Sequence, residues 1–349
     1  MFSTPKSFRG SLFLALFCLT FLTTLSVSFQ AQGASTEKEK ILEGAKKEGK
    51  LVLYTGMDIE EAGIFLSEFG KKYPFIKPEM FRSSGEKVLT RFMIESRANT
   101  HRADIFQTSI IQVYQLKNEG LLKKYISAES AVYPEGFKDP EGYWNAFYLL
   151  TYVIGYNTNL VSPKEAPTSY GDLLNPKWKG KIGLETEEYQ WFYHLLKITG
   201  KEKGMEYMKN LARQDLQLRK GHTLLAQLIA AGEIAMAVVV YGSRVDRMMS
   251  RGAPIDWVRF KGPTITSINA ISIPDKAPHS NTARLFVDFV LSKEGQQILS
   301  GLRRIPARPD VYPDPPRLTK GLNLYPARPE GLIETYNDTV AQFDKIFIK

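Results

Sequence analysis

Three short stretches of the chain combine residue types suited to holding an anion: Tyr54-Thr55-Gly56, Arg82-Ser83-Ser84-Gly85 and Thr108-Ser109. Arg82 offers a planar guanidinium that can pair bidentately with a carboxylate or phosphonate. Tyr54, Thr55, Ser83, Ser84, Thr108 and Ser109 offer hydroxyl donors. Tyr241, in Tyr241-Gly242-Ser243, adds an aromatic face on which a solute ring can stack, or a side chain that fills a floor. The plainer roles are helix capping for the serines and threonines and a surface ion pair for Arg82.

Catalytic chemistry has little support. The sequence holds no G-x-S-x-G elbow, H-E-x-x-H pair or P-loop. His101, His194, His222 and His279 lack metal-ligand spacing. Carboxylate pairs such as Glu60-Glu61 and Glu187-Glu188 are adjacent, so on a helix they point in different directions. A distant carboxylate pair of the glycosidase kind stays open, which keeps an exported hydrolase as an alternative class. Cys18 is the only cysteine, so disulfides and thiolate zinc sites are absent from the chain beyond it.

The elements that place the three stretches alternate. Residues 51–54 read as a short buried strand, 60–74 as an amphipathic helix, 76–84 as a second strand, 85–99 as a second helix, 103–109 as a third strand and 110–122 as a third helix. A surface helix precedes them and ends at Gly49. Strand-helix alternation predicts a parallel sheet covered by helices, with ligands bound beyond the carboxyl ends of the strands. The three stretches fall at those ends, and two lead into helices whose first N–H groups favour anions.

Residues 144–161 are apolar and β-prone, one long strand or two. A Pro/Gly-punctuated loop follows, then helices over 187–199, 201–213 and 222–233 and a buried strand over 234–241. Residues 266–300 give a strand, a turn and a helix. This makes a second α/β unit, with no linker between the halves, so several chain crossings are expected.

Lys6 and Arg9, an uncharged apolar run over 11–29 and Ala31-Gln32-Gly33 have the layout of a secretory signal peptide over residues 1–33. An uncleaved N-terminal anchor is the alternative, since the run is long enough to span a bilayer. The formal charge of +9 falls to +7 once Lys6 and Arg9 are subtracted. That balance suits solubility and attraction of anionic solutes. Basic residues scattered among acidic ones argue against nucleic acid as a partner. The 349 residues, 43% hydrophobic, allow a core that needs no metal or disulfide for stability, and no cofactor is expected.

Residues 156–182, with Tyr-Asn-Thr-Asn-Leu-Val and Ser-Tyr-Gly-Asp-Leu-Leu-Asn-Pro-Lys-Trp-Lys-Gly-Lys-Ile, resemble a segment of periplasmic solute-binding proteins of ABC importers. Residues 230–239, 283–311 and 103–106 resemble further segments of the same family, in its ferric-ion, phosphonate, sugar-phosphate and thiamine branch. The likeness runs from about residue 40 to 312. It implies a two-lobed α/β Venus-flytrap fold with hinge-crossing strands. Lobe one is expected over 34–153 plus 268–310, and lobe two over 154–267 plus 311–349. It also implies a ligand in the interlobe cleft, an inner-membrane permease as partner, a periplasmic location and a monomer. Residues 311–349 are assigned to lobe two with their role left open.

The resemblance also carries ligand expectations. Iron-binding members use a His in the first turn, a Glu after the third strand and two adjacent tyrosines after the late lobe-two strand. Here the matching positions hold Met57 and Asp58, then Gln107, Thr108 and Ser109, then Gly242 and Ser243, with Tyr241 one place early. That set is poor in iron ligands, so no metal site is expected, and ferric-ion transport is the alternative. Anion-contacting stretches of the family match Glu185-Thr186-Glu187 and Gly221-His222-Thr223, which adds Thr186, His222 and Thr223 to the expected site. Arg244 and Arg247 are expected on a solvated helix face. The expected function is capture of a small organic anion by hinge closure, without catalysis. A sensor subunit would share the pocket and differ in partner.

Overall fold

The computed structural model describes Met1, residues 37–260 and residues 262–348. The expected signal peptide lies outside the described residues, apart from Met1. Among the described residues no helix is long and apolar enough to cross a membrane.

Helical residues 37–48 (α1) bury Ile41 and Ala45, four apart on one face. Gly49, at φ +61°, ends the helix in the left-handed region that glycine adopts without a Cβ clash. There follow β1 (Lys50–Thr55), α2 (Ile59–Lys72), β2 (Lys77–Arg82), α3 (Gly85–Arg97), β3 (Ile105–Ser109) and α4 (Ile110–Asn118). β1 pairs in parallel with β2 on one side and β3 on the other. The expected alternation is what forms. α2 buries Ala62, Phe65, Leu66 and Phe69, a 3–4-residue spacing that lays one stripe on the sheet. Phe65 and Phe69 meet Phe147 and Phe286 edge-on at centroid distances of 5.0 and 4.9 Å.

β4 (Leu122–Lys123) leads to β5 (Asn145–Asn157), a single strand whose 13 residues are all buried. Burial on both faces explains why its apolar residues follow one another with Thr151 as the single polar residue between Asn145 and Asn157. β6 (Ile182–Glu185), α5 (Tyr189–Thr199), α6 (Lys201–Ala212), β7 (Gln217–Arg219), α7 (His222–Ala231), β8 (Met236–Tyr241), α8 (Gly242–Ser250) and β9 (Ile255–Trp257) build the second lobe. There β6 pairs in parallel with β7 and β8.

β10 (Pro263–Pro274) runs antiparallel to β5, from Thr266 opposite Thr151 to Ile271 opposite Asn145, with a register shift between Asn269 and Ala270. The two long strands cross from lobe to lobe. Residues 269–272 of β10 pair with β3, while residues 152–156 of β5 pair with β8. The strand order is β2-β1-β3-β10-β5-β8-β6-β7.

α9 (Ser280–Leu291), α10 (Lys293–Gly301) and β11 (Ile305–Pro306) return to lobe one. β12 (Asn323–Pro326) then pairs in parallel with the lobe-two half of β10, and α11 (Glu330–Glu334) and α12 (Tyr336–Phe347) follow. One core gathers residues 41–150 and 268–318; another gathers 152–265 and 327–347. The molecule is two-lobed α/β, and its sheet turns from one lobe to the other at Leu150–Tyr152 and Thr266–Ile268.

Candidate functional site: an arginine-lined interlobe cleft

The carboxyl ends of the lobe-one strands form one wall of a cavity of about 240 Å³. Gly56 and Asp58 follow β1, Arg82 ends β2, Thr108 and Ser109 end β3, and Gln112 lies in the first turn of α4. The facing wall is lobe two: Tyr241 at the end of β8, Thr223 at the start of α7, and Arg244 and Arg247 in α8. Because α8 starts where β8 stops, residues three apart in its first turns share the side turned to the cleft. Tyr148 and Leu150 of β5, Asn269 of β10 and Arg304, just before β11, form the floor.

The charges are unevenly matched. Glu61, in the first turn of α2, is 1% exposed beneath the floor. Its Oε2 accepts from Arg304 Nε at 2.9 Å and Nη2 at 2.6 Å. Its Oε1 faces Arg247 Nη1 in a second ion pair. One carboxylate therefore serves two guanidinium groups, one from each lobe. Arg244 Nη2 donates to Thr223 Oγ1 at 3.1 Å and lies 3.6 Å from Asp58 Oδ2. Burial lowers the Arg244 pKa from its ordinary value, and the like charges of Arg247 and Arg304 add to this against Asp58 and Glu61. Arg82 Nε donates to the Met57 carbonyl at 2.9 Å, and among the described residues Arg82 makes no ion pair. Arg304 goes the other way: burial disfavours its cation, yet Tyr148 and Glu61 hold its pKa above the ordinary value.

Five of the residues expected from the sequence line this cavity: Arg82, Thr108, Ser109, Thr223 and Tyr241. The other six do not. Tyr54 is buried, its ring against Phe81 at 5.2 Å and its hydroxyl donating to Glu95 at 2.7 Å. This points to the α3 side of the sheet. Thr55, one step on in the strand, is also buried; its hydroxyl donates to Gln107 Oε1 and accepts from the Met57 N–H at 2.9 Å. It shapes the turn from behind. Ser83 donates its backbone N–H to the Thr55 carbonyl at 3.3 Å, and Ser84 precedes α3 without a side-chain cap; their neighbours Gly85 and Glu86 line the cavity instead. Thr186 donates its backbone N–H to the Arg219 carbonyl at 3.2 Å and is not among the cavity-lining residues.

His222 stands one layer back. Its ring packs on Tyr241 with centroids 3.9 Å apart, and Nε2 is 2.9 Å from Glu188 Oε2. Burial disfavours its cation, but Glu188 and then Glu185 prevail and raise its pKa.

Sequence reasoning missed Glu86, Gln112, Tyr148, Leu150, Asn269 and Arg304 as liners. The solvated face expected for Arg244 and Arg247 is corrected: both line the cleft, their side chains 25% and 14% exposed. The available signal was a helix starting straight from a strand end with two arginines three apart.

The donors suit ferric iron poorly. Met57 is buried, and the third strand closes with Gln107, Thr108 and Ser109. A Cβ on Gly242 would stand 2.7 Å from Thr151 Oγ1, so no side chain enters there without displacing that residue. Among the described residues no cluster of three or more His, Cys, Asp or Glu could hold a metal ion.

Residues 103–323 match a family model described as bacterial extracellular solute-binding protein. The chain is 22% identical over 288 residues to the major ferric iron-binding protein of Neisseria meningitidis serogroup B, covering 79% of this chain and 84% of that one. Two solved structures share the fold. The periplasmic binding protein AfuA of Actinobacillus pleuropneumoniae, with fructose-6-phosphate bound, superposes with a TM-score of 0.75 at 23% identity over 86% of this chain and 99% of its own. Iron-bound HitA of Pseudomonas aeruginosa gives 0.72 at 20% identity over 85% and 99%.

Proposed function

The chain belongs to the bacterial extracellular solute-binding protein family, and from that premise we propose that it captures a small organic anion in the interlobe cleft. The solute is a carboxylate, a phosphonate or a phosphate ester. The protein passes it unaltered to the permease of an ABC importer, acting as a periplasmic monomer exported by a signal peptide over residues 1–33. The lobes follow the two cores, with the crossings at Leu150–Tyr152 and Thr266–Ile268.

The observation that carries this reading is Arg82 on lobe one and Arg244 on lobe two, both turned into one cavity. Arg82 has no ion-pair partner among the described residues, and Arg244 has only a 3.6 Å approach to Asp58. An anion between them gains charge-assisted hydrogen bonds from both sides. It thereby favours the state in which the lobes are together, the hinge closure open to this fold. Thr108, Ser109, Thr223 and Asn269 supply neutral polar contacts, and Tyr241 an aromatic face. A cavity of about 240 Å³ limits the solute to a small one.

Ferric iron is the second reading, favoured by the likeness to the Neisseria ferric iron-binding protein and to iron-bound HitA. Thermal-shift and calorimetric titration of the purified protein against organic acids, phosphonates, phosphate esters and ferric salts separates the two. Saturable stabilisation by an organic anion is expected. A coloured ferric complex with no response to organic anions overturns the proposal in favour of metal. Turnover of a test compound without saturable stabilisation overturns it in favour of a hydrolase.

A further inference from the structure

Glu61 does not line the cavity, yet it sits at the centre of the cleft's charge. Four arginines line the cavity: Arg82, Arg244, Arg247 and Arg304. The lining carboxylates are Asp58 and Glu86, of which Glu86 is exposed and accepts from Gln112 Nε2 at 2.8 Å. Beneath them Glu61 is shared between Arg304 of lobe one and Arg247 of lobe two. A single buried carboxylate so placed cancels one of two positive charges and fixes both guanidinium groups in position. It also supplies part of the negative charge that the solute would otherwise bring.

We infer that Glu61 is a specificity-determining residue of this cleft: it sets the charge of the anion accepted by neutralising half of the Arg247–Arg304 pair from behind. The inference rests on the anion reading of the site. It makes a prediction with two opposite signs. Glu61→Gln leaves both arginines uncompensated and shifts preference toward dianions. Arg247→Gln leaves Glu61 paired with Arg304 alone and shifts preference toward monoanions. A residue that merely held the fold would weaken both kinds of ligand alike.

The experiment uses matched probes, each a dianion and a monoanion of one skeleton: succinate and succinamate, and glycerol phosphate and its methyl ester at pH 8. Affinities are measured by calorimetry for the wild type and both variants of the full chain. The dianion-to-monoanion affinity ratio is expected to rise about tenfold in Glu61→Gln and to fall about tenfold in Arg247→Gln, the order of effect of one unit charge in a part-buried site. If Glu61→Gln does not fold, Glu61→Asp, whose shorter side chain cannot reach both guanidinium groups, carries the test: the ratio is expected to rise in the same direction by a smaller factor, and an unchanged ratio overturns the role of Glu61. A wild type that binds the probes with a ratio unchanged in the variants overturns the role of Glu61 while leaving the anion site standing. A wild type that binds none of the probes overturns both.

Discussion

The His222 ring lies on the Tyr241 ring at a centroid distance of 3.9 Å while its Nε2 stays 2.9 Å from Glu188 Oε2. The cleft wall at Tyr241 is thus backed by an ion pair inside lobe two. Around the imidazole stand Glu188, Glu185, Tyr241 and Tyr152. The His222 pKa is raised above 6.5, burial opposing and the two carboxylates prevailing. A raised folded-state value means that the pair's stabilisation is full below the unfolded value and is lost as pH rises through the folded one. Chemical denaturation at a series of pH values should therefore show a decline in stability on the alkaline side of pH 6.5, and His222→Gln should flatten it.

His194 produces the opposite dependence in a lower window. It is buried in α5 beside Tyr193 and Tyr325, at centroid distances of 5.0 and 5.8 Å. Burial, then the Lys197 charge, push its pKa down from 6.5 to about 4. The unfolded chain takes up that proton first, so the stability contributed by the neutral imidazole falls as pH drops below 6.5, and that contribution is gone below about 4. The shift corresponds to about 3 kcal/mol. His194→Leu should remove this acid limb and leave the alkaline decline of His222 in place, as read from midpoints of urea unfolding.

Arg82 and Arg244 contribute to binding from opposite walls. Replacing either by alanine removes hydrogen bonds to a charged group, worth about 1.5–3 kcal/mol each, so solute affinity should fall by roughly tenfold to a hundredfold. Arg82→Lys should recover only part of this, because an ammonium lacks the planar fork. Arg82 makes no ion pair among the described residues, so the midpoint of thermal unfolding should barely move in Arg82→Ala. A large drop in that midpoint with affinity unchanged would place Arg82 in the scaffold instead.

What the sequence disclosed, and what it withheld, follows from the range of the forces involved. Strand-helix alternation is local, so β1, β2 and β3 and their helices were legible, as was the placing of Arg82, Thr108 and Ser109 at strand ends. Which neighbour faces the cleft is a matter of strand parity and cap geometry. That is why Tyr54 turned toward α3 and Thr55 settled behind the turn. Arg304 and Glu61 are 243 residues apart, and their pairing depends on β11 lying against β5, which no short window of sequence can report. Arg244 and Arg247 read as solvated because a helix face rich in charge normally is; here that face is the wall of a cleft between lobes.

The C-terminal segment tests whether the lobes are independent in stability. Phe343 of α12 is fully buried against Tyr189, Phe192 and Phe347, with centroids at 5.2, 5.7 and 4.9 Å. These partners all belong to lobe two, whereas α11, just before, touches α4 of lobe one. Phe343→Ala should cost about 3–5 kcal/mol, the usual figure for an emptied aromatic site in a core. If the two cores open separately, native-state hydrogen exchange will show faster exchange in β6, β8 and α5 while β1 and β3 keep their protection. If α11 couples the lobes, protection in β1 and β3 will fall in step with that of β6 and β8, and the hinge strands β5 and β10 are then no boundary for unfolding.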